Sequence, residues 1–401
     1  MAKPYRRTLG FLFAFFCLDL SSGVCSDIAD EDLSSEKLYW QRLGEIRSER
    51  DYPVDVPRGT FKAHHKIEGY DAAFHYMVDV PDEYDPKKKM DLHVYLHGGV
   101  KYSSTRISKE KMRRLKKQRV DGAISVYPSA STGAKWWYEN QSRNVVEIIK
   151  IIKESYNVNE NRIFLHGLSD GGGGVYYFAS HLPTPFAGFI ALIGSPHVLR
   201  PKHNVFGKTF PANFVNKPIF AVNAQEDEFF PYRSVERLFE SLNKAGGDIT
   251  FHEVRGDHFG TPWLVKKKKE YESFVAKYTR NPYPDILYWQ IDEGGEFNRI
   301  HWLILNGTNG GDAESAVAAH KKGNAVHLSS KNVSAVTLLI SSDHFDLSKN
   351  IQVWLNQVLV IDQKVSPDIS VLDKWFKLDQ DRSMLFAGEI YLDALLELGS
   401  E

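Results

Sequence analysis

Short apolar runs recur along the first two thirds of the chain, separated by longer stretches whose apolar residues fall at helical spacing. Residues 72–80 (AAFHYMVDV), 92–96 (LHVYL), 123–127, 163–165, 189–193, 218–222 and 249–254 read as strands bounded by Gly, Pro or charged residues. Segments 145–156 (VVEIIKIIKESY), 175–181 and 234–245 carry the helical period, and 35–47 and the Lys/Arg-rich 109–119 read as solvated helices. This alternation predicts a mainly parallel sheet with helices on both faces and right-handed crossovers between strands.

The texture changes at 281–284 (NPYP). Beyond it, 301–305, 325–328, 335–340 and 351–360 read as strands with Gly/Asn turns between them. In the last, Ile351, Val353 and Leu355 alternate with Gln352, Trp354 and Asn356, the pattern of a half-buried strand. Four segments are therefore expected: a signal peptide at 1–26, an N-terminal extension at 27–55, an α/β domain at 56–281, and a smaller β-rich, sandwich-like domain at 282–401.

The 401 residues are 42% hydrophobic and 25% charged, enough material for more than one core. With 50 basic and 51 acidic residues the net charge is -1, which supplies no field for nucleic acid or an anionic membrane. The amino terminus carries its own pattern. Lys3, Arg6 and Arg7 precede a short apolar run, 9–17 (LGFLFAFFC), and small or polar residues follow at 21–26. That is the layout of a secretory signal, too short to span a bilayer comfortably, so export without stable membrane insertion after cleavage is expected. Cys25 invites lipid attachment, but Val24 is bulkier than the residue that precedes a lipidated cysteine. Cys17 and Cys25 are the two cysteines, so after cleavage no intramolecular disulfide, cysteine nucleophile or thiolate metal site is expected.

Chemistry concentrates at Gly167-Leu168-Ser169-Asp170-Gly171, which follows the strand at 163–165 directly and precedes the helix at 175–181. Gly-x-Ser-x-Gly puts a serine on a sharp strand-to-helix turn, where small neighbours tolerate a strained backbone. The pentapeptide alone is weak; its partners give it weight. A serine hydroxyl needs a base, and the base needs an acid to hold its tautomer, in the chain order Ser, Asp/Glu, His. Asp227 follows the strand at 218–222, with Glu226 and Glu228 as neighbours that could substitute. His258 lies in the loop after the strand at 249–254, with His252, inside that strand, the weaker candidate. An oxyanion hole needs backbone N–H groups. Asp170 supplies one, and the loop His97-Gly98-Gly99-Val100 supplies the other from Gly99 or Val100.

The segments VYLHGG, NVNENRIFLHGLSDGGGG, AVNAQEDEFFP and RGDHFG together resemble landmarks of secreted α/β-hydrolases. They are most similar to the polyhydroxybutyrate depolymerase and feruloyl esterase-like group, which includes predicted peptidases. The resemblance covers roughly residues 60–280. It implies an α/β-hydrolase fold and cleavage of carboxylic esters through an acyl-enzyme on Ser169, with Asp227 and His258. The expected partner is an ester-bearing small molecule or polysaccharide, with no cofactor and no metal. One departure is Asp170, where members often carry an apolar residue.

Two other readings stay open: a serine peptidase of the same fold, and a non-catalytic carbohydrate-binding protein. Trp136 and Trp137, in a loop at the active-site end of such sheets, are candidates for an aromatic substrate subsite or, equally, for a packing role. Trp289, Trp302, Trp354 and Trp375 are more commonly explained as core residues but are also candidates for stacking on carbohydrate; Trp354, on the polar face of its strand, is the best of them.

Overall fold

The computed structural model describes residues 35–48, 52–100, 109–131, 133–199, 210–259, 266–291, 297–309 and 315–393. The expected signal peptide, with Cys17 and Cys25, lies outside them.

Eight strands form the first sheet: β1 (Gly59–His65), β2 (Phe74–Val80), β3 (Met90–Leu96), β4 (Ile124–Pro128), β5 (Val158–Leu168), β6 (Gly188–Leu192), β7 (Ile219–Ala224) and β8 (Ile249–Val254). Their order is β1-β2-β4-β3-β5-β6-β7-β8. The first two strands are antiparallel, and the remaining six run parallel. Strand alternation sends neighbouring side chains to opposite faces. In β5, Ile163 and Leu165 join a core closed by α3 (Glu139–Ser155), α4 (Asp170–His181) and α5 (Tyr232–Lys244). Phe164 joins a second core, closed by α2 (Lys109–Lys116) and α6 (Lys268–Lys277). The mainly parallel sheet covered on both faces is what the strand–helix pattern predicts, and its strand order is that of the α/β-hydrolase fold that the resemblance implies.

The C-terminal region builds two further sheets. One contains β9 (Ile286–Ile291), β12 (Ser315–Lys322), β13 (Ala325–Lys331), β15 (Ile351–Leu355) and β16 (Val358–Gln363). The other contains β10 (Arg299–Ile300), β11 (Leu303–Thr308), β14 (Val333–Ile340) and β17 (Gly388–Asp393). Their inner faces share one core, with Trp289, Val317, Leu328 and Val353 from the first sheet and Leu305, Val336 and Ile390 from the second. This is a sandwich. Residues 351–360 are a hairpin rather than the single strand expected. Asn356 and Gln357 have φ of 47° and 76°, the pair of positive values that a tight two-residue hairpin turn uses.

Helix α1 (Ser35–Arg47), in the expected N-terminal extension, packs on the β-rich region. Tyr39, Leu43 and Ile46 share a core with Leu372 of α7 (Ile369–Asp379) and with Leu385. Arg42 adds an ion pair to Asp373 at 2.8 Å.

The two units meet through buried polar contacts. Arg280 and Asp381 pair at 2.7 Å, both nearly inaccessible, and Arg382 pairs with Glu160. The Asn213 amide donates to Gln290 O and accepts Gln290 N–H, both at 2.9 Å; Asn216 treats Tyr288 in the same way. Two side chains thereby satisfy the edge of β9, which would otherwise present unpaired donors and acceptors. Glu160 stands near the amino end of β5. The Arg382–Glu160 contact therefore lies roughly 30 Å along the strand from the turn that carries Ser169.

Candidate active site

β5 delivers Leu168 to the sheet's carboxyl edge, and α4 starts at Asp170, so Ser169 alone makes the turn. Its φ of 57° and ψ of -116° lie outside the usual regions for a side chain with a Cβ, a local cost on the order of 1–3 kcal/mol. The turn is held by Ser169 N–H donating to Leu192 O at 2.9 Å and Gly173 N–H donating to Ser169 O at 3.1 Å. Glycine is required behind it. A Cβ on Gly171 would stand 2.0 Å from Leu96 O, so any larger residue would force α4 off the sheet.

Ser169 Oγ lies 2.9 Å from His258 Nε2, and His258 Nδ1 lies 2.8 Å from Asp227 Oδ2. The other oxygen of Asp227 accepts the N–H groups of Phe229 and Phe230, each at 2.9 Å. Asp227 is buried and fixed on both oxygens, so His258 has one orientation available. The substitutes weighed for these positions lie elsewhere. Glu226 and Glu228 are exposed, Glu226 pairing with Arg255 at 3.9 Å. His252 packs on Phe220, with ring centroids 5.0 Å apart. Burial, followed by the charge of Lys267, lowers its pKa.

The loop after β3 closes over the elbow. Val100 N–H donates to Asp170 Oδ2 at 2.9 Å, joining the two expected sources of oxyanion donors. Gly99 has φ +63°, a conformation glycine adopts without cost. His97 serves this loop. Its Nε2 accepts Ala130 N–H at 3.2 Å, so Nδ1 carries the proton and donates to Gly98 O at 2.9 Å. The Asp170 N–H begins α4, where a helix offers no internal acceptor and its dipole favours negative charge.

Of the two roles weighed for Trp136 and Trp137, the structure gives packing and not an aromatic subsite. They are 0% and 3% exposed. Trp136 packs against Gly174 and donates from Nε1 to His97 O at 2.9 Å, so it braces the loop from beneath. The aromatic surface at the site comes from residues that the sequence did not single out. Phe229 and Phe259 are 62% and 68% exposed, and both rings stand 5.0 Å from His258, with 5.6 Å between the two. Their positions beside Asp227 and His258 were the available signal.

No protein-family model matches the chain. Over 190 residues, 47% of its length, it is 31% identical to a bifunctional acetylxylan esterase/xylanase from Neocallimastix patriciarum. The chain spans 24% of that relative. Among solved structures, a ferulic acid esterase from Anaeromyces mucronatus aligns over 53% of this chain and 89% of its own at 18% identity and a TM-score of 0.40. An acylaminoacyl peptidase from Pyrococcus horikoshii aligns over 55% of this chain and 41% of its own, with 16% identity and a TM-score of 0.42. The chain has the strand order of an α/β-hydrolase fold and, over 190 residues, sequence similarity to a relative named as an acetylxylan esterase.

Proposed function

We propose that this chain is an exported serine hydrolase that cleaves carboxylic esters carried on carbohydrate, with Ser169 as nucleophile. The observation that carries it is the hydrogen-bonded series Ser169–His258–Asp227 on a strained strand-to-helix turn. Similarity to a relative named as an acetylxylan esterase supports the substrate class. Export rests on the pattern of the amino-terminal residues; among the described residues no helix is long and apolar enough to cross a membrane.

In this reading Ser169 Oγ attacks the ester carbonyl carbon while His258 Nε2 takes its proton. The tetrahedral oxyanion is met by the Asp170 N–H and by the Gly99 N–H, since the expected alternative, Val100, gives its N–H to Asp170 Oδ2. Collapse breaks the bond to the alcohol oxygen, which leaves with the proton from His258 and yields an acyl-serine. Water, deprotonated by the same histidine, then attacks the acyl carbon, and Ser169 recovers its proton as the acid departs. Asp227 orients the imidazole and stabilises its cationic form. Phe229 and Phe259 offer an apolar surface to the acyl group or to the alcohol.

The test is a substrate panel: p-nitrophenyl acetate, methyl ferulate and acetylated xylan against aminoacyl anilides. Ester turnover that falls in F229A and F259A through KM supports the proposal. Turnover of anilides without esters would assign a peptidase instead, and turnover of neither would overturn the proposal.

A further inference from the structure

Of the four C-terminal tryptophans, Trp289 and Trp302 are fully buried and Trp375 nearly so; they belong to the core. Trp354 does not. It lies on the outer face of the five-stranded sheet, half-buried, over a surface cavity of about 1060 Å³. The strand register arranges what surrounds it. Trp354 pairs with His327, His327 with His320, and His320 with Ile286, forming one ridge across β15, β13, β12 and β9. At a strand spacing of about 4.8 Å that ridge runs roughly 14 Å. The Trp354 and His327 rings lie within 20° of parallel, with centroids 5.9 Å apart.

Beside the ridge runs a second row, Ser329, Ala318 and Tyr288. Ser329 and Ala318 are small and exposed, so a ligand can reach the sheet between the aromatic residues. The α/β unit supplies the rest of the lining, including Val215 and the turn at Ala245-Gly246. Among the described residues no Asp, Glu, Lys or Arg lines the cavity, although a quarter of the chain is charged. The polar groups present are hydroxyl, amide and imidazole.

We infer that this trough binds a neutral polysaccharide chain, with Trp354 as its stacking platform. An indole face meets the apolar face of a sugar ring, and uncharged donors and acceptors match hydroxyl groups. The lack of lining charge disfavours nucleic acid and anionic surfaces, which are held by cations. The site lies outside the Ser169 cluster and does not depend on the proposed reaction; only the choice of xylan as first probe does.

The experiment uses the full chain carrying S169A, so that nothing is turned over. Its mobility is compared in native gels cast with and without xylan, β-glucan or glucomannan, and its affinity for xylohexaose is measured by calorimetry. Retardation by at least one of these polysaccharides is expected. W354A and A318R, each with an unchanged melting temperature, should weaken binding about tenfold or more, as loss of a central aromatic contact does. Retardation undiminished in both folded variants, or absent for all three polysaccharides, overturns the inference. Retardation together with failure of Ser169 to react would leave this site standing while the proposed function fell.

Discussion

The Asp170 carboxylate accepts the Val100 N–H at 2.9 Å, tying the first turn of α4 to the loop after β3. Seventy positions apart in sequence, these residues become one unit beside the proposed oxyanion site. A carboxylate beside an oxyanion hole opposes developing negative charge, yet this one also fixes a donor loop. The two effects separate by substitution. D170A should lower kcat about tenfold or more with KM little changed, because the loop loses its anchor. D170N keeps an acceptor and removes the charge, and should return kcat at least to the wild-type level. Equal loss in both would show that the charge itself is needed.

A second expectation concerns acid. His93 Nδ1 and His166 Nε2 share a hydrogen bond of 2.7 Å inside the sheet, and the outer nitrogen of each ring has no partner. Burial, followed by the charge of Arg162, pushes His93 down to about 3; burial, then His93, lowers His166 well below its ordinary value. Both are neutral when folded and bind protons near pH 6.5 when unfolded. Stability should therefore hold above pH 6.5 and fall as the pH drops below it, by up to about 1.4 kcal/mol per pH unit for each histidine. Urea titrations between pH 8 and pH 4 measure this. The double variant H93F/H166L should flatten the profile, and an unaltered profile would contradict the assignment.

The seam between the two units gives a third. Burial works against the Asp381 charge, but Arg280 and then Lys153 hold its carboxyl well below the usual carboxylate range. D381N removes the ion-pair partner of the buried Arg280 and one of the carboxylates facing Lys153, and should cost about 3–5 kcal/mol in chemical denaturation. A loss under about 1 kcal/mol would mean that the pair is solvated in solution, as exposed pairs are.

The sequence carried the α/β order and the Ser169, Asp227 and His258 candidates because these are local signals: apolar runs, a glycine-flanked serine, and polar residues just past strand ends. Features set by distant packing were not legible. The β15–β16 hairpin depends on two residues with positive φ that are neither Gly nor Asp. Trp136 and Trp137 occupy a loop whose sequence left packing and a substrate subsite both open; the Gly171–Gly174 stretch draws α4 close enough to bury Trp136. Asn213 and Asn216 look like ordinary loop amides until β9 supplies the backbone they complete. Asp170 was an oddity of the elbow; Val100 gives it a structural partner.

The most direct test of the proposed nucleophile is mass spectrometry of the intact protein after exposure to a fluorophosphonate. One adduct per chain is expected, on the peptide bearing Ser169, with ester hydrolysis lost in step and no adduct in S169A. An unlabelled wild-type protein, or an S169A protein labelled to the same extent, would contradict the account.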